Sequence, residues 1–176
     1  MFARRLVVGA ALAGLVAVSS AIVATSVVDA APKYIVWLSP RGFVTGQNLA
    51  GGNLTLTSPS GDEEHITTDK AGDLQWVNYP LQLPNDRKIV QVIVCYKLDD
   101  ATSFISQVRL GMSTIPPTAT VMYDDGTDLT STAGACRSGM VVSGISVKGE
   151  ITLGLRLNFA STNHAIDVGA IGIVTK

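Results

Sequence analysis

The sequence predicts an all-β fold, an antiparallel two-sheet β-sandwich of jelly-roll-like form, behind an N-terminal export leader. Apolar and polar residues alternate with a period of two through much of the chain after Lys33, the spacing that places alternate side chains on opposite faces of a strand. Glycine, proline and Asp-Gly turns interrupt that alternation at short, near-regular intervals, the habit of sandwiches and jelly rolls. No convincing helical repeat follows the leader.

The leader comes first. Arg4 and Arg5 give a basic start, Leu6 to Val28 carry no charge, and Val28 and Ala30 set small residues where a signal peptidase reads, so residues 1–30 are expected to be a cleaved signal peptide and 31–176 a single β-sandwich domain. A retained anchor is the rival, because the uncharged run approaches the roughly 20 residues that span a bilayer. Ser19, Ser20, Thr25 and Ser26 interrupt that run and favour cleavage.

Strands are expected at Tyr34 to Leu38, Asn53 to Thr57 and Leu74 to Leu83. A single helical turn is placed around Thr68 to Gly72. In Ile89 to Leu98, Val90, Val92, Val94, Tyr96 and Leu98 share one face while Ile89, Ile93 and Cys95 make the other partly apolar, as in a central strand covered on both sides. Asp99 to Thr102 reads as a hairpin connection into the next strand, Phe104 to Leu110. Ala119 to Tyr123 and Met140 to Val147 follow. Ile151, Leu153, Leu155, Leu157 and Phe159 then alternate without a break against Thr152, Gly154, Arg156 and Asn158, so one face meets a core and the other meets water. Ala165 to Thr175 closes the chain, and Gly169 and Gly172 leave room there for a close neighbour. The stretch Tyr79 to Pro84, a turn, then Ile89 to Tyr96 resembles the proline-bounded lead-in to a long central strand in exported or virion-associated β-sandwich domains; it implies that fold and no functional residue.

Charge and cysteines narrow the setting. The chain holds 13 Lys and Arg against 14 Asp and Glu, and loss of Arg4, Arg5 and Asp29 with the leader leaves 11 against 13. That balance argues against a nucleic-acid partner, and against a membrane partner once the leader is cut, because each needs a basic face. Export implies a secreted or otherwise extracytoplasmic site, where disulfides persist. Cys95 and Cys136 therefore either form one bridge, worth on the order of 3–4 kcal/mol by loop closure, or remain two buried thiols.

Three residue sets carry the functional candidates. Trp37, Trp76 and Tyr79 are the aromatic residues that could stack on a sugar ring, although Trp76 and Tyr79, three apart on a strand, fall on opposite faces. Asp124, Asp125 and Asp128 crowd one acidic turn and offer hard oxygen ligands to calcium, though not with EF-hand spacing; otherwise no cofactor is expected. His65 and His164 read as loop or surface histidines, with no Gly-x-Ser-x-Gly elbow to serve. The chain is thus expected to be a non-catalytic exported domain that binds a protein or glycan surface or associates with itself as a homo-oligomer. The alternatives are a carbohydrate-binding module with optional calcium and a small extracytoplasmic hydrolase using acidic loop residues.

Overall fold

Strand after strand of the sequence carries one buried and one exposed face, and the computed structural model packs the buried faces against each other. It describes residues 32–49, 51–114 and 118–176; the predicted leader and its cleavage position lie outside them. The strands are β1 (Tyr34–Leu38), β2 (Val44–Asn48), β3 (Leu54–Thr57), β4 (Glu64–Thr68), β5 (Gly72–Leu81), β6 (Lys88–Leu98), β7 (Phe104–Thr114), β8 (Thr118–Asp125), β9 (Ala135–Ser146), β10 (Glu150–Phe159) and β11 (Ile166–Thr175). They form two antiparallel sheets. One has the order β3-β4-β11-β6-β9 with β1 also on β11, and the other the order β2-β5-β10-β7-β8. Among the described residues no helix is long and apolar enough to cross a membrane.

The core lies between the sheets. Val92, Val94, Ile166, Val168, Ile171 and Ile173 face it from the six-stranded side, and Val77, Ile105, Val108, Leu110 and the apolar half of β10 face it from the other. Ile151, Leu153, Leu155, Leu157 and Phe159 are all buried, as their alternation predicts. Each such side chain contributes on the order of 2 kcal/mol of transfer free energy, which makes β10 the best-anchored strand of its sheet.

Several expectations are corrected. Asp99 to Thr102 is not a hairpin: β6 and β7 belong to different sheets, so the segment arches across the core. Crossing lets Leu98 and Ile105 both point inward from opposite sides. β6 is central within its sheet but not covered on both faces, since Ile93 and Cys95 are only half-buried. A bulge also moves Ile89, rather than Val90, into the core cluster. The helical turn expected at Thr68 to Gly72 is an irregular bend, and the short 3-10 helix lies instead at Pro40–Gly42. Side-chain bonds explain the bend. The buried amide of Gln75 donates to the carbonyls of Lys70 and Gly72 at 2.9 and 3.1 Å, while Thr68 Oγ1 donates to Gln75 Oε1 at 2.7 Å.

Cys95 and Cys136 sit directly opposite on β6 and β9 and are bridged, with a Cα separation of 3.9 Å. The bridge ties two neighbours of one sheet on its outer face. It does not staple the two sheets together.

Candidate functional site

The outer face of the five-stranded sheet is built from the polar halves of the same alternations that fill the core. Pairing places Asn78 of β5 opposite Gly154 of β10, Gly154 opposite Arg109 of β7, and Arg109 opposite Asp124 of β8. One step along, Trp76 and Gln107 flank Arg156. Gly154 has no side chain, and the Trp76 indole lies across it: a Cβ there would meet the ring at 3.2 Å. Gly111 has nothing above it within 4 Å. These two glycines floor an open cleft of about 290 Å³, walled by Trp76, Asn78, Arg109 and Thr152.

Charge on this face is paired. The Arg109 guanidinium stands over the Trp76 ring, 4.9 Å from its centroid, and Nη2 donates to Asp124 Oδ2 at 3.1 Å. Asp124 also accepts from the Gln107 amide. Arg156 Nε donates to Ser106 Oγ at 2.8 Å and lies 3.5 Å from Asp73. The cleft therefore offers an aromatic surface held in place by a cation, beside amide and hydroxyl groups with spare donors and acceptors.

The predicted aromatic residues do not converge. Trp76 lines this cleft. Tyr79, on the inner side of the same strand, packs edge-on against Phe43 at 5.3 Å between centroids and joins the core. Trp37 belongs to the other sheet, where Gly172 leaves space beneath its ring. The opposite facing of Trp76 and Tyr79 follows from period two, as expected.

The acidic turn does not converge either. Asp124 is held by Arg109 and Gln107. Asp125 accepts from Tyr123 Oη at 3.2 Å and from the Thr127 backbone N–H at 3.0 Å. Burial pushes the Asp125 carboxyl upward, but the Thr127 and Tyr123 hydrogen bonds and the Arg137 charge outweigh it and hold it below its ordinary value. Burial and the neighbouring Asp125 push the Tyr123 phenol up to about 12. Asp128 is exposed. Among the described residues no group of three or more His, Cys, Asp or Glu is placed to hold a metal ion.

A serine, a histidine and a carboxylate do meet elsewhere. Ser103 Oγ lies 2.8 Å from His164 Nδ1, and His164 Nε2 lies 3.9 Å from Asp100 Oδ2. Ser103 has 0% exposure, and its Oγ also accepts from the Ala160 N–H at 3.0 Å, so no substrate carbonyl reaches it. This is a brace between the β6–β7 arch and the β10–β11 connection. His65 likewise pairs across strands, with Nδ1 2.7 Å from Asp167 Oδ1.

Asn78, Arg109, Thr152 and the two floor glycines were not singled out from the sequence. Their signal was present as the polar members of three alternating runs, but which runs become neighbours depends on strand order, which periodicity does not contain.

No protein-family model matches the chain, and no curated protein matches it. Solved structures do. The family 11 carbohydrate-binding module from Clostridium thermocellum, in complex with a β-1,3-1,4-mixed-linked tetrasaccharide, superposes with a TM-score of 0.50 at 11% identity, covering 80% of this chain and 94% of that one. The CBM22-1 xylan-binding domain of Paenibacillus barcinonensis Xyn10C gives 0.49 at 11% identity, over 78% and 87%. A CBM36 module in complex with calcium and xylotriose gives 0.47 at 13% identity, over 78% and 98%. At these identities the likeness is one of fold: a β-sandwich of the kind used by carbohydrate-binding modules.

Proposed function

We propose that the protein is an exported, non-catalytic binding domain that holds a carbohydrate chain across the outer face of its five-stranded sheet. The observation that carries this reading is the Trp76 ring lying over Gly154 beside an open floor at Gly111. A pyranose presents an apolar face and a rim of hydroxyls, which match an indole and a surround of amide, hydroxyl and guanidinium groups. Because Asp124 balances Arg109, the cleft suits a neutral sugar. The neighbours' ligands, a mixed-linked glucan fragment and xylotriose, are of that class and supply the first probes.

Catalysis has no place in this reading. Asp124 and Asp73, the carboxylates beside the cleft, are each engaged by an arginine, which leaves neither disposed as the acid of a hydrolase. Calcium at Asp124, Asp125 and Asp128 would have to draw Asp124 and Asp125 from their present partners; glycan affinity is expected to be the same with and without a chelator. The setting is outside the cytoplasm, where the Cys95–Cys136 bridge persists.

Calorimetric titration with soluble mixed-linked β-glucan and xylan tests the reading. Replacing Trp76 by Ala is expected to weaken binding about thirtyfold, near 2 kcal/mol for a central aromatic anchor, while Trp37→Ala leaves it unchanged. Binding that survives Trp76→Ala, or silence across a broad glycan array, would remove the proposal.

A further inference from the structure

The opposite sheet carries a second, unrelated surface at the end where residue 32 enters the fold. Whole-chain charge is near balance at −1, but four cations gather here. Arg87 stands over the Tyr34 ring at 4.4 Å, Lys88 and Lys176 exchange backbone hydrogen bonds at 3.0 Å, and Lys33 and Lys176 line one groove of about 280 Å³. Asp86 lies in the turn just before Arg87.

Between those two lysines the groove is lined by Val90, Met140, Val141 and Val142, with Ser143 and Gly144 at the turn. Val142 is 88% exposed and Met140 60%, an unusual use of such side chains on a sheet edge. The backbone accounts for it. Between the Gln91–Met140 and Ile89–Ile145 pairs, residues 141–144 stand opposite Val90 alone; Val141 turns into the core while Val142 is left outside, through two successive left-handed residues, Ser143 at φ 68° and Gly144 at φ 70°. A left-handed serine is sterically unfavourable, so the bulge holds Val142 outward at a cost. Ile35 and Trp37, at 51% and 55% exposure, add exposed apolar surface on β1, with Ile35 in the same row as Met140 across the buried Val174 and the polar Gln91.

We propose that this end of the sandwich docks on an anionic phospholipid bilayer. Val142, Met140 and Trp37 enter the interface while Lys33, Lys88 and Lys176 meet the headgroups. Apolar and indole side chains ringed by basic residues are the composition that sits at a lipid–water boundary, and charge complementarity selects anionic lipid. The patch acts whether or not residues 1–30 are retained. The expectation of no membrane partner rested on net charge, which averages this segregation away. The carbohydrate face lies on the other sheet, so either proposal stands without the other.

The test is quenching of Trp37 fluorescence by brominated lipid, in a Trp76→Phe background so that the remaining tryptophan reports, with the protein as an exporting host releases it. Vesicles are phosphatidylcholine alone, or with a third replaced by phosphatidylglycerol. Quenching is expected with the anionic vesicles, to fall as salt is raised, and to drop about fivefold or more for each of Lys33→Glu and Lys176→Glu. Val142→Ser, at a site too exposed to affect folding, is expected to reduce it as well. Equal quenching by both vesicle types, indifference to the lysine and valine substitutions, or a concentration-dependent burial of Trp37 without lipid, which would mark a second copy as the occupant, would each overturn the proposal.

Discussion

Gln75 shows at the level of one residue how a polar group inside a strand pattern can be structural. It has 0% exposure on the inner face of β5, where alternation alone would place an apolar side chain, and its amide is spent on the Thr68–Gly72 bend. Gln75→Ala leaves Thr68 and two carbonyls without that partner, and chemical denaturation is expected to show a loss of about 2–3 kcal/mol. The sequence pattern had no means to reveal this, because the groups that satisfy Gln75 belong to a bend whose geometry the side chain itself creates. Trp76 was more legible: its neighbours two residues away share its outward face, and only its glycine platform was hidden. Asp125 sets a pH dependence. Its hydrogen bonds hold the folded carboxyl below the ordinary value, so their stabilisation is complete above the ordinary carboxylate range. It is lost as pH falls through the lowered value, when the folded state must take up the proton. Thermal unfolding is expected to be level from neutral pH to about pH 5 and to decline below about pH 4.

Among the elements, long alternating strands were legible and connections were not. β10 needs only period two to be recognised, and β1 matches its expected span of Tyr34–Leu38. β2 and β4 were missed because each is five residues rich in Thr, Gly, Asn or Gln, with little apolar contrast. The β6–β7 connection misled because a polar run between two strands suits a hairpin or an arch equally, and the choice lies with the sheet each strand joins. The disulfide acts at this scale too. Closing a loop of 41 residues stabilises by about 4 kcal/mol in the chain-entropy model, but it links strands already paired. The double substitution Cys95→Ser, Cys136→Ser is expected to lower stability by roughly that amount while keeping both sheets, with faster amide exchange confined to the β9 edge.

At the scale of the whole domain, the described residues present two outer faces of different chemistry on either side of one core. The five-stranded face pairs its charges around Trp76 and an open glycine floor; the six-stranded face ends in an apolar bulge with lysines at its rim. The fold class was readable because patterning along each strand reports burial directly. The site was only half readable, since a surface made from three strands exists only once strand order is set. Export remains a reading of residues 1–30, and mass spectrometry of the released protein is expected to find Ala31 as its first residue. The carbohydrate face is tested most directly by mapping backbone and indole chemical shifts during titration with a mixed-linked glucan oligosaccharide. The expected result is a contiguous set of shifts at Trp76, Asn78, Arg109, Gly111 and Gly154, with Trp37 and Met140 unmoved. Shifts confined to Trp37 and Met140, or none at any sugar concentration, would contradict it.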